Sequence, residues 1–212
     1  MVAQEEAQKG CVPVAIVWQT PLGVEQYVVS GRDLQVPRFA CPGCKKPMNY
    51  WGWYDRYLRL GRSHVLLLRR QRCRGCASSH AVLPSFMVHG RLDAVGVIGA
   101  ALQAVAGRGG AMAGAARAAD VPYTTLRGWR RRFSERAELV TVGFVRAAVA
   151  LGGLAPRLSE NPELAAIGAV RAAWNAAQRR WGTAVGALWR FANAMVGGHL
   201  LSTNIDPPWS TA

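Results

Sequence analysis

The sequence predicts an α+β protein that is mostly helical, with a small β region followed by helices. Two C-x2-C cysteine pairs lie between residues 41 and 76, and a strand-like run, SHVLLLRR, leads into the second pair. From about residue 91 onward, apolar residues recur at gaps of three and four, which is typical of helices. Half of the 212 residues are hydrophobic, so the chain can bury a substantial core.

The pattern divides the chain into four parts. An N-terminal β region covers residues 1–90 and contains the cysteine-bearing module at about 38–90. A helical segment covers 91–136, a second helical region covers 137–200, and a polar tail covers 201–212.

Two finer expectations concern the ends of this plan. Residues 11–30 contain two β-branched runs around the turn signal Thr20-Pro21-Leu22-Gly23, which predicts a β-hairpin. Near the other end, Asn161 and Pro162 suit the N-cap and first position of a helix. An apolar stripe from Ile167 to Met195 then predicts one long helical face, which serves either as core or as a surface for a second copy or a partner.

The positive charge of the chain is concentrated in its middle. The formal net charge is +14, with 23 Arg and 3 Lys. Residues 30–136 carry 19 basic and 5 acidic residues, whereas the remaining residues carry 7 of each. A segregated positive field of this size is expected where a protein meets a polyanion, and nucleic acid is the foremost candidate.

The four paired cysteines have the spacing of a metal site. Cys41 and Cys44 form one pair, and Cys73 and Cys76 form the other after a 28-residue insert that is long enough for a β-hairpin. Four thiolates on two such turns supply the closed tetrahedral set that structural Zn²⁺ takes. The spacing therefore predicts a zinc ribbon, with zinc in a structural rather than a catalytic role.

Other interpretations of the cysteines remain open at this point. A redox motif would need one pair in a βαβ context, and the four cysteines could also be unrelated buried thiols. His64, His80 and His89 are possible substitute ligands, although a complete cysteine set favours solvated or core histidines. Cys11 has no partner nearby in sequence and is most simply a buried strand residue.

Residues 111–133 have the features of a helix-turn-helix. A short Ala-rich helix precedes the turn Asp120-Val121-Pro122, and a second helix begins at Tyr123, where threonine hydroxyls suit a helix N-terminus. On a helical wheel, apolar residues occupy one side and basic residues the other. The residues expected to contact DNA are Thr124, Thr125, Arg127, Arg130, Arg131 and Arg132, with Thr124, Arg127 and Arg131 offered to bases.

Arginines of the cysteine-bearing module are expected to add contacts to phosphate. Alternate side chains of a strand share a face, so part of the set Arg56, Arg59, Arg62, Arg69, Arg70, Arg72 and Arg74 forms a basic ladder. We assign phosphate contacts in particular to Arg69 and Arg70. A solvated edge strand kept soluble by charge would show the same pattern.

The order of these motifs carries a resemblance. CPGC, WGxY, RRxRCRGC, LPSF, GRLD, VPYTTLRGW and a closing GGxLLSTN…PPW together resemble a family of small actinobacterial proteins with a zinc ribbon and a helix-turn-helix. The chain is also similar in plan to the N-terminal, DNA-binding part of insertion-sequence transposases. The resemblance implies double-stranded DNA as partner and a connection to mobile elements.

No enzyme is expected in this chain. A transposase catalytic domain needs clustered carboxylates to hold two metal ions, and the acidic residues after position 136 are only Glu138, Glu160, Glu163 and Asp206. The first ten residues lack the apolar core of a secretory signal, and no segment predicts a membrane helix. We therefore expect a cytoplasmic, nucleoid-associated protein.

The sequence supports sequence-specific binding of double-stranded DNA, as a transcription regulator or as the recognition component of a transposition system. The C-terminal helices are expected to support a homodimer or to contact the transposition machinery. One rival is an adaptor that docks a transposase or polymerase partner. Another is an RNA-binding module that stacks bases on the aromatic residues at 50–57.

Overall fold

The computed structural model describes residues 15–107 and 112–201. Four strands form one mixed sheet in the order β1-β4-β3-β2. The strands are β1 (Ala15–Trp18), β2 (Met48–Leu60), β3 (Arg62–Cys73) and β4 (Ser79–Pro84). β1 runs parallel to β4, while the β2–β3 and β3–β4 pairs are antiparallel.

Seven α-helices occur within the described residues, so the expectation of an α+β, mostly helical fold is confirmed. They are α1 (Val24–Ser30), α2 (Val95–Gly107), α3 (Met112–Ala118), α4 (Tyr123–Ser134), α5 (Ala137–Ala150), α6 (Pro162–Trp181) and α7 (Leu188–Met195). The first helix packs beside the sheet, and the other six share one apolar core. α6 begins as expected, because the Asn161 side chain accepts a hydrogen bond from the backbone N–H of Leu164.

The hairpin expected within residues 11–30 is wrong. Only β1 forms a strand among the described residues of this stretch, and residues 24–30 form α1 instead. Val24 and Tyr27 are buried at helical spacing, and the Tyr27 ring packs edge-on against Phe86 with centroids 5.6 Å apart. This contact with the sheet overrides the β propensity of the valines. β1 finds its partner in β4, more than sixty residues away.

The apolar stripe from Ile167 to Met195 does not lie on one continuous helix. α6 ends at Trp181, and Gly182 and Gly186 adopt left-handed φ values of 59° and 70°. The indole N–H of Trp174 donates to the carbonyl of Gly186 at 2.9 Å, which closes the connection back towards α7. Most of the stripe faces the helical core, so it serves mainly as packing.

A short segment after β4 joins the sheet to the helices. The side-chain amide of Asn193 in α7 donates to the carbonyls of Ser85 and Met87 at 3.0 and 2.7 Å. The backbone N–H of His89 donates to the carbonyl of Gly198 at 2.9 Å. These bonds tie residues 85–89 to the end of the helical region and fix both cores relative to each other.

Candidate metal centre and nucleic-acid interface

The fold brings all four predicted metal ligands together. The sulfur atoms of Cys41, Cys44, Cys73 and Cys76 lie within 4.8 Å of one another. The closest pairs are Cys41–Cys76 at 3.6 Å and Cys44–Cys73 at 3.3 Å, so the sulfurs are in contact but not bonded. Tetrahedral Zn²⁺ with Zn–S bonds of about 2.3 Å would separate its sulfurs by about 3.8 Å. The cluster therefore fits a metal ion of this kind.

The two cysteine turns repeat the same backbone hydrogen bond. The N–H of Cys41 donates to the carbonyl of Lys46, and the N–H of Cys73 donates to that of Ser78, both five residues later. The fourth residue after each first cysteine, Lys45 or Ala77, has a φ near 60°. The two turns thus present their sulfurs in matching geometry.

The glycines of these turns do not adopt the left-handed conformation, which falls on Lys45 and Ala77 instead. Gly75 has a different reason to lack a side chain, since a Cβ there would lie 2.5 Å from Cδ of Lys46 and 3.4 Å from Sγ of Cys44. Its backbone N–H donates to Sγ of Cys73 at 3.3 Å. A larger residue here would have to displace the Lys46 side chain, so the close approach of the two turns favours a glycine at this position.

Local hydrogen bonds favour a thiolate at Cys73. Backbone N–H donation from Cys76, together with that from Gly75, lowers the pKa of the Cys73 thiol. His80 is fully buried, with Nε2 3.6 Å from Sγ of Cys41. It is a core histidine beside the cysteine cluster, which is one of the possibilities that the sequence left open.

The β-hairpin expected between the cysteine pairs is present as β2 and β3. They pair from Met48↔Cys73 to Leu60↔Arg62, so one end of the hairpin carries the cysteines. The register shifts between Tyr50 and Gly52, where a bulge changes which residues face each side of the sheet. The hairpin thus fixes the position of the second cysteine turn relative to the first.

The expected helix pair is also present, as α3 and α4. α3 ends with the N–H of Val121 donating to the carbonyl of Ala116 and the N–H of Asp120 donating to that of Arg117. Asp120 has a φ of 52°, so these bonds form a Schellman motif with Asp in the place usually taken by Gly. The turn is thereby fixed by its own hydrogen bonds.

α4 has one buried and one exposed side. Leu126, Trp129 and Phe133 are at most 3 % exposed and belong to the helical core. Thr124, Arg127 and Arg131 are exposed on the other side. Pro122 occupies the N-cap without a side-chain cap, so the threonines lie inside the first turn instead of capping it.

Three of the four arginines of α4, including the exposed Arg131, contact other groups of the protein. Nε of Arg130 donates to both carboxylate oxygens of Glu163, at 3.0 and 3.2 Å, and Glu163 is only 6 % exposed. Nη1 of Arg132 donates to the carbonyl of Gly128. Arg131 pairs with exposed Glu135 one turn later. Arg130 therefore links α4 to α6, and Glu163 is a residue of this surface that the sequence did not single out.

The arginines of the β-hairpin separate onto two faces of the sheet. Arg69 is opposite Trp53 in the register, and its guanidinium lies 4.2 Å from the ring centroid of Tyr50 and 4.5 Å from that of Trp53. Arg70 is exposed on the other face, opposite Gly52. The two residues expected to act together on phosphate thus point in opposite directions, and Arg69 is held in an aromatic stack.

The remaining candidate residues have distinct positions. His64 is buried with Nε2 3.8 Å from a carboxylate oxygen of Glu25 and does not join the cysteine cluster. His89 lies after β4, and its ring meets that of His199 at a centroid distance of 5.0 Å. Cys11 and the tail after residue 201 lie outside the described residues.

Residues 41–129 match the model of a protein family described as a domain of unknown function, DUF6431. The matched segment begins at the first metal-ligand candidate, Cys41, and ends at Trp129 in α4, so it covers the cysteine cluster, α3 and the first half of α4. No curated protein and no solved structure matches the chain. Within the described residues, no helix combines the length and apolarity needed to cross a bilayer.

Proposed function

We propose that this protein binds double-stranded DNA in a sequence-specific manner, with α4 as its recognition helix. The observation that carries the proposal is the exposed side of α4, where Thr124, Arg127 and Arg131 stand opposite a fully buried apolar side. A helix inserted into the major groove needs this division, because its inner side must be anchored while its outer side reaches base edges.

The surroundings of α4 support the same function. α2, α3 and α4 pack against one another, as expected of a three-helix variant of the helix-turn-helix. Backbone hydrogen bonds from Val121 and Asp120 close the turn before α4 and define the direction in which the helix leaves it. Residues 91–136 carry 8 basic and 3 acidic residues, and the preceding residues 30–90 carry 11 basic and 2 acidic ones, so both modules would draw the protein towards the phosphate backbone.

Individual contacts follow from exposure and pairing. Arg127 and Arg131 would read bases, and an arginine that donates two hydrogen bonds to guanine contributes about 1 to 3 kcal/mol of discrimination. Arg131 would exchange its exposed pairing with Glu135 for the base, at small cost. Arg132 and Arg70 would contact phosphate. Arg130 is not assigned to DNA, because its guanidinium group pairs with the Glu163 carboxylate.

The cysteine cluster would hold zinc as a structural ion in a zinc ribbon. Four protein sulfurs fill a tetrahedral shell, so zinc bound there has no open position for water or substrate. Its effect would be to fix the two cysteine turns and the end of the β2–β3 hairpin. Zinc would thereby order the module that precedes the helix pair.

In the cell, such a protein would act as a transcription regulator or as the DNA-recognition component of a transposition system. Both roles rest on the same duplex-binding surface, and either would place the protein at the nucleoid. A homodimer would place two copies of α4 on two half-sites of a palindromic target.

The direct test is the affinity for a defined duplex, measured by fluorescence anisotropy at several salt concentrations. We expect Arg127→Ala with Arg131→Ala to lower affinity for the preferred duplex by at least tenfold, because both contacts are lost. Arg179→Ala is the matched control, since Arg179 is exposed in the last turn of α6, whereas α6 contacts α4 through Glu163 at its first turn. Equal effects of the helix and control variants would contradict the proposal.

One observation favours an adaptor as the second candidate. Trp181 is 51 % exposed at the end of α6, where it lines an apolar groove with Phe191 and Met195. Binding of a protein partner that fails in Trp181→Ala but survives Arg127→Ala would favour this function. Trp189 is unsuitable for the same test because it is buried against Gly99.

The aromatic cluster is the feature that bears on the RNA-binding alternative. The Arg69 guanidinium lies over the rings of Tyr50 and Trp53, and that of Arg72 lies over the ring of Trp51. Trp51 and Tyr57 are nevertheless 58 % and 60 % exposed, so ring surface remains on which a base could stack. Competition between duplex DNA and single-stranded RNA for the same protein separates these two alternatives.

A further inference from the structure

A cleft of about 350 Å³ opens on the face of the sheet that carries Arg70. Its floor follows from the strand register, which places Ala15, Ala81, Arg70 and Gly52 in one row across all four strands. Three of these four residues are alanine or glycine. A Cβ built on Gly52 meets no atom within 4 Å, so the row leaves open space around the Arg70 side chain.

Hydrogen-bond donors surround this space. Arg56, Arg70, Ser79 and His89 line the cleft. Nε of Arg56 and Oγ of Ser79 are buried, and neither has a hydrogen-bond partner among the described residues. A buried N–H or O–H without an acceptor is costly, so these two groups could each take an acceptor from outside the chain, such as a water molecule or an anion.

The electrostatic environment of the cleft is positive. Burial, followed by the charges of Arg56 and Arg91, lowers the pKa of His89. Burial and the nearby Arg132 lower the pKa of Arg91 in turn. Asp55, the acidic residue next to Arg56 in β2, points to the opposite face because side chains alternate along a strand.

We propose that this cleft is a binding site for a phosphate group. Two arginine forks and a serine hydroxyl provide the planar and single donors that phosphate oxygens accept. Neutral ligands would leave the concentrated positive charge uncompensated. The small floor residues admit a tetrahedral group to the level of the sheet, and the volume lies at the lower end of the range of small-ligand sites.

The phosphate has two possible sources with the same chemistry. The positive groups run from Arg70 through Arg56 and Arg91 to Arg132 of α4, so a backbone phosphate of DNA held by α4 is one source. A free phosphorylated small molecule is the other. The proposal goes beyond duplex binding, because the cleft would bind phosphate even if α4 does not read DNA.

The test is a calorimetric titration of the full chain, loaded with zinc, with inorganic phosphate in a low-salt chloride buffer. We expect saturable binding at one site and a loss of affinity of about tenfold or more in Arg56→Gln and in Arg70→Gln. Arg62→Gln, which removes an exposed arginine outside the cleft, should keep its affinity within about twofold. Phosphate affinity that falls equally in all three variants would overturn the proposal.

A further variant tests the cleft in a way that does not depend on replacing an arginine. Ala81→Leu fills the floor of the cleft without changing any charge, and its circular dichroism spectrum should match that of the unchanged protein. We expect it to lose phosphate binding. If Ala81→Leu is folded and binds phosphate with unchanged affinity, the cleft is not the site.

Salt-dependent DNA binding then separates the two sources. If the Arg56→Gln/Arg70→Gln double variant lowers the slope of log K against log salt by about one per lost phosphate contact, the cleft holds the DNA backbone. If its DNA binding is unchanged while phosphate binding is lost, the site serves a free phosphorylated ligand. If the Arg127→Ala/Arg131→Ala variant still binds phosphate, the cleft binds phosphate independently of the recognition helix. A wrong assignment of α4 as the DNA-reading helix can then be distinguished from a wrong assignment of the cleft.

Discussion

Replacement of Glu163 by Gln tests the link between α4 and α6. The Glu163 carboxylate accepts two hydrogen bonds from Nε of Arg130 and one from the hydroxyl of Ser134, and its side chain is 8 % exposed. Gln is nearly the same size but has one acceptor oxygen and no charge. The variant should therefore weaken the charge-assisted bonds without leaving a cavity.

The expected loss is about 2 kcal/mol in the free energy of unfolding. Hydrogen bonds to a charged group contribute about 1.5 to 3 kcal/mol, and the Arg130 side chain, at 35 % exposure, recovers part of this by hydration. For a chain of this length the loss corresponds to a fall in Tm of about 4 to 8 °C. Urea denaturation followed by circular dichroism measures the difference.

Glu135→Gln is the matched control, because Glu135 also pairs with an arginine of α4 but both partners are well exposed. We expect it to cost less than about 0.5 kcal/mol. If Glu163→Gln is no more destabilising than Glu135→Gln, the assigned role of Glu163 is refuted. Arg130→Gln should likewise lower stability and leave DNA affinity within about twofold, whereas a loss as large as that of Arg127→Ala would assign Arg130 to DNA.

Three further predictions concern packing, the metal and pH. Gly99→Ala should destabilise the fold by about 1 to 3 kcal/mol, since its Cβ would lie 2.0 to 2.3 Å from indole atoms of Trp189. Gly168→Ala has open space around its Cβ and should stabilise α6 by up to about 1 kcal/mol. Urea denaturation that ranks the two variants in the opposite order would contradict the packing of α2 on α7. Native mass spectrometry should find one zinc ion per chain. Removal of the zinc by a chelator should make residues 38–90 sensitive to protease, while most of the helical circular dichroism signal remains. Unchanged protease resistance after zinc removal would contradict a structural role for the ion. The free energy of unfolding should fall as the pH drops below about 6.5, because burial holds the pKa of His89 and His199 below that value in the folded chain but not in the unfolded chain. His199→Gln should make the free energy of unfolding depend less steeply on pH. An unchanged slope in this variant would contradict the role given to His199.

Local signals in the sequence predict much of the candidate site. The spacing of the cysteine pairs selects four residues that the fold does bring together, because ligands on two short turns are determined largely by local geometry. The turn at Asp120 and the start of α6 at Asn161 likewise follow from residues within one helical turn. Such features depend little on distant parts of the chain.

Features that depend on distant residues escape sequence interpretation. The pairing of Arg130 with Glu163 spans 33 positions and leaves no periodic pattern. Residues 24–30 carry β-branched side chains that suit a strand, yet contact with the sheet makes them a helix. The contact of Arg69 with the rings of Tyr50 and Trp53 was also hidden, because it depends on how β2 pairs with β3 around the bulge near Gly52.

The most direct measurement for the central claim is the selection of bound sequences from a random pool of duplex DNA by the zinc-loaded protein. The same selection is repeated with Arg127→Ala/Arg131→Ala. The account predicts a defined motif that loses information at specific positions in the variant. Binding that is sensitive to salt but yields no motif, or a motif that is unchanged in the variant, would contradict the assignment of α4 as the helix that reads DNA.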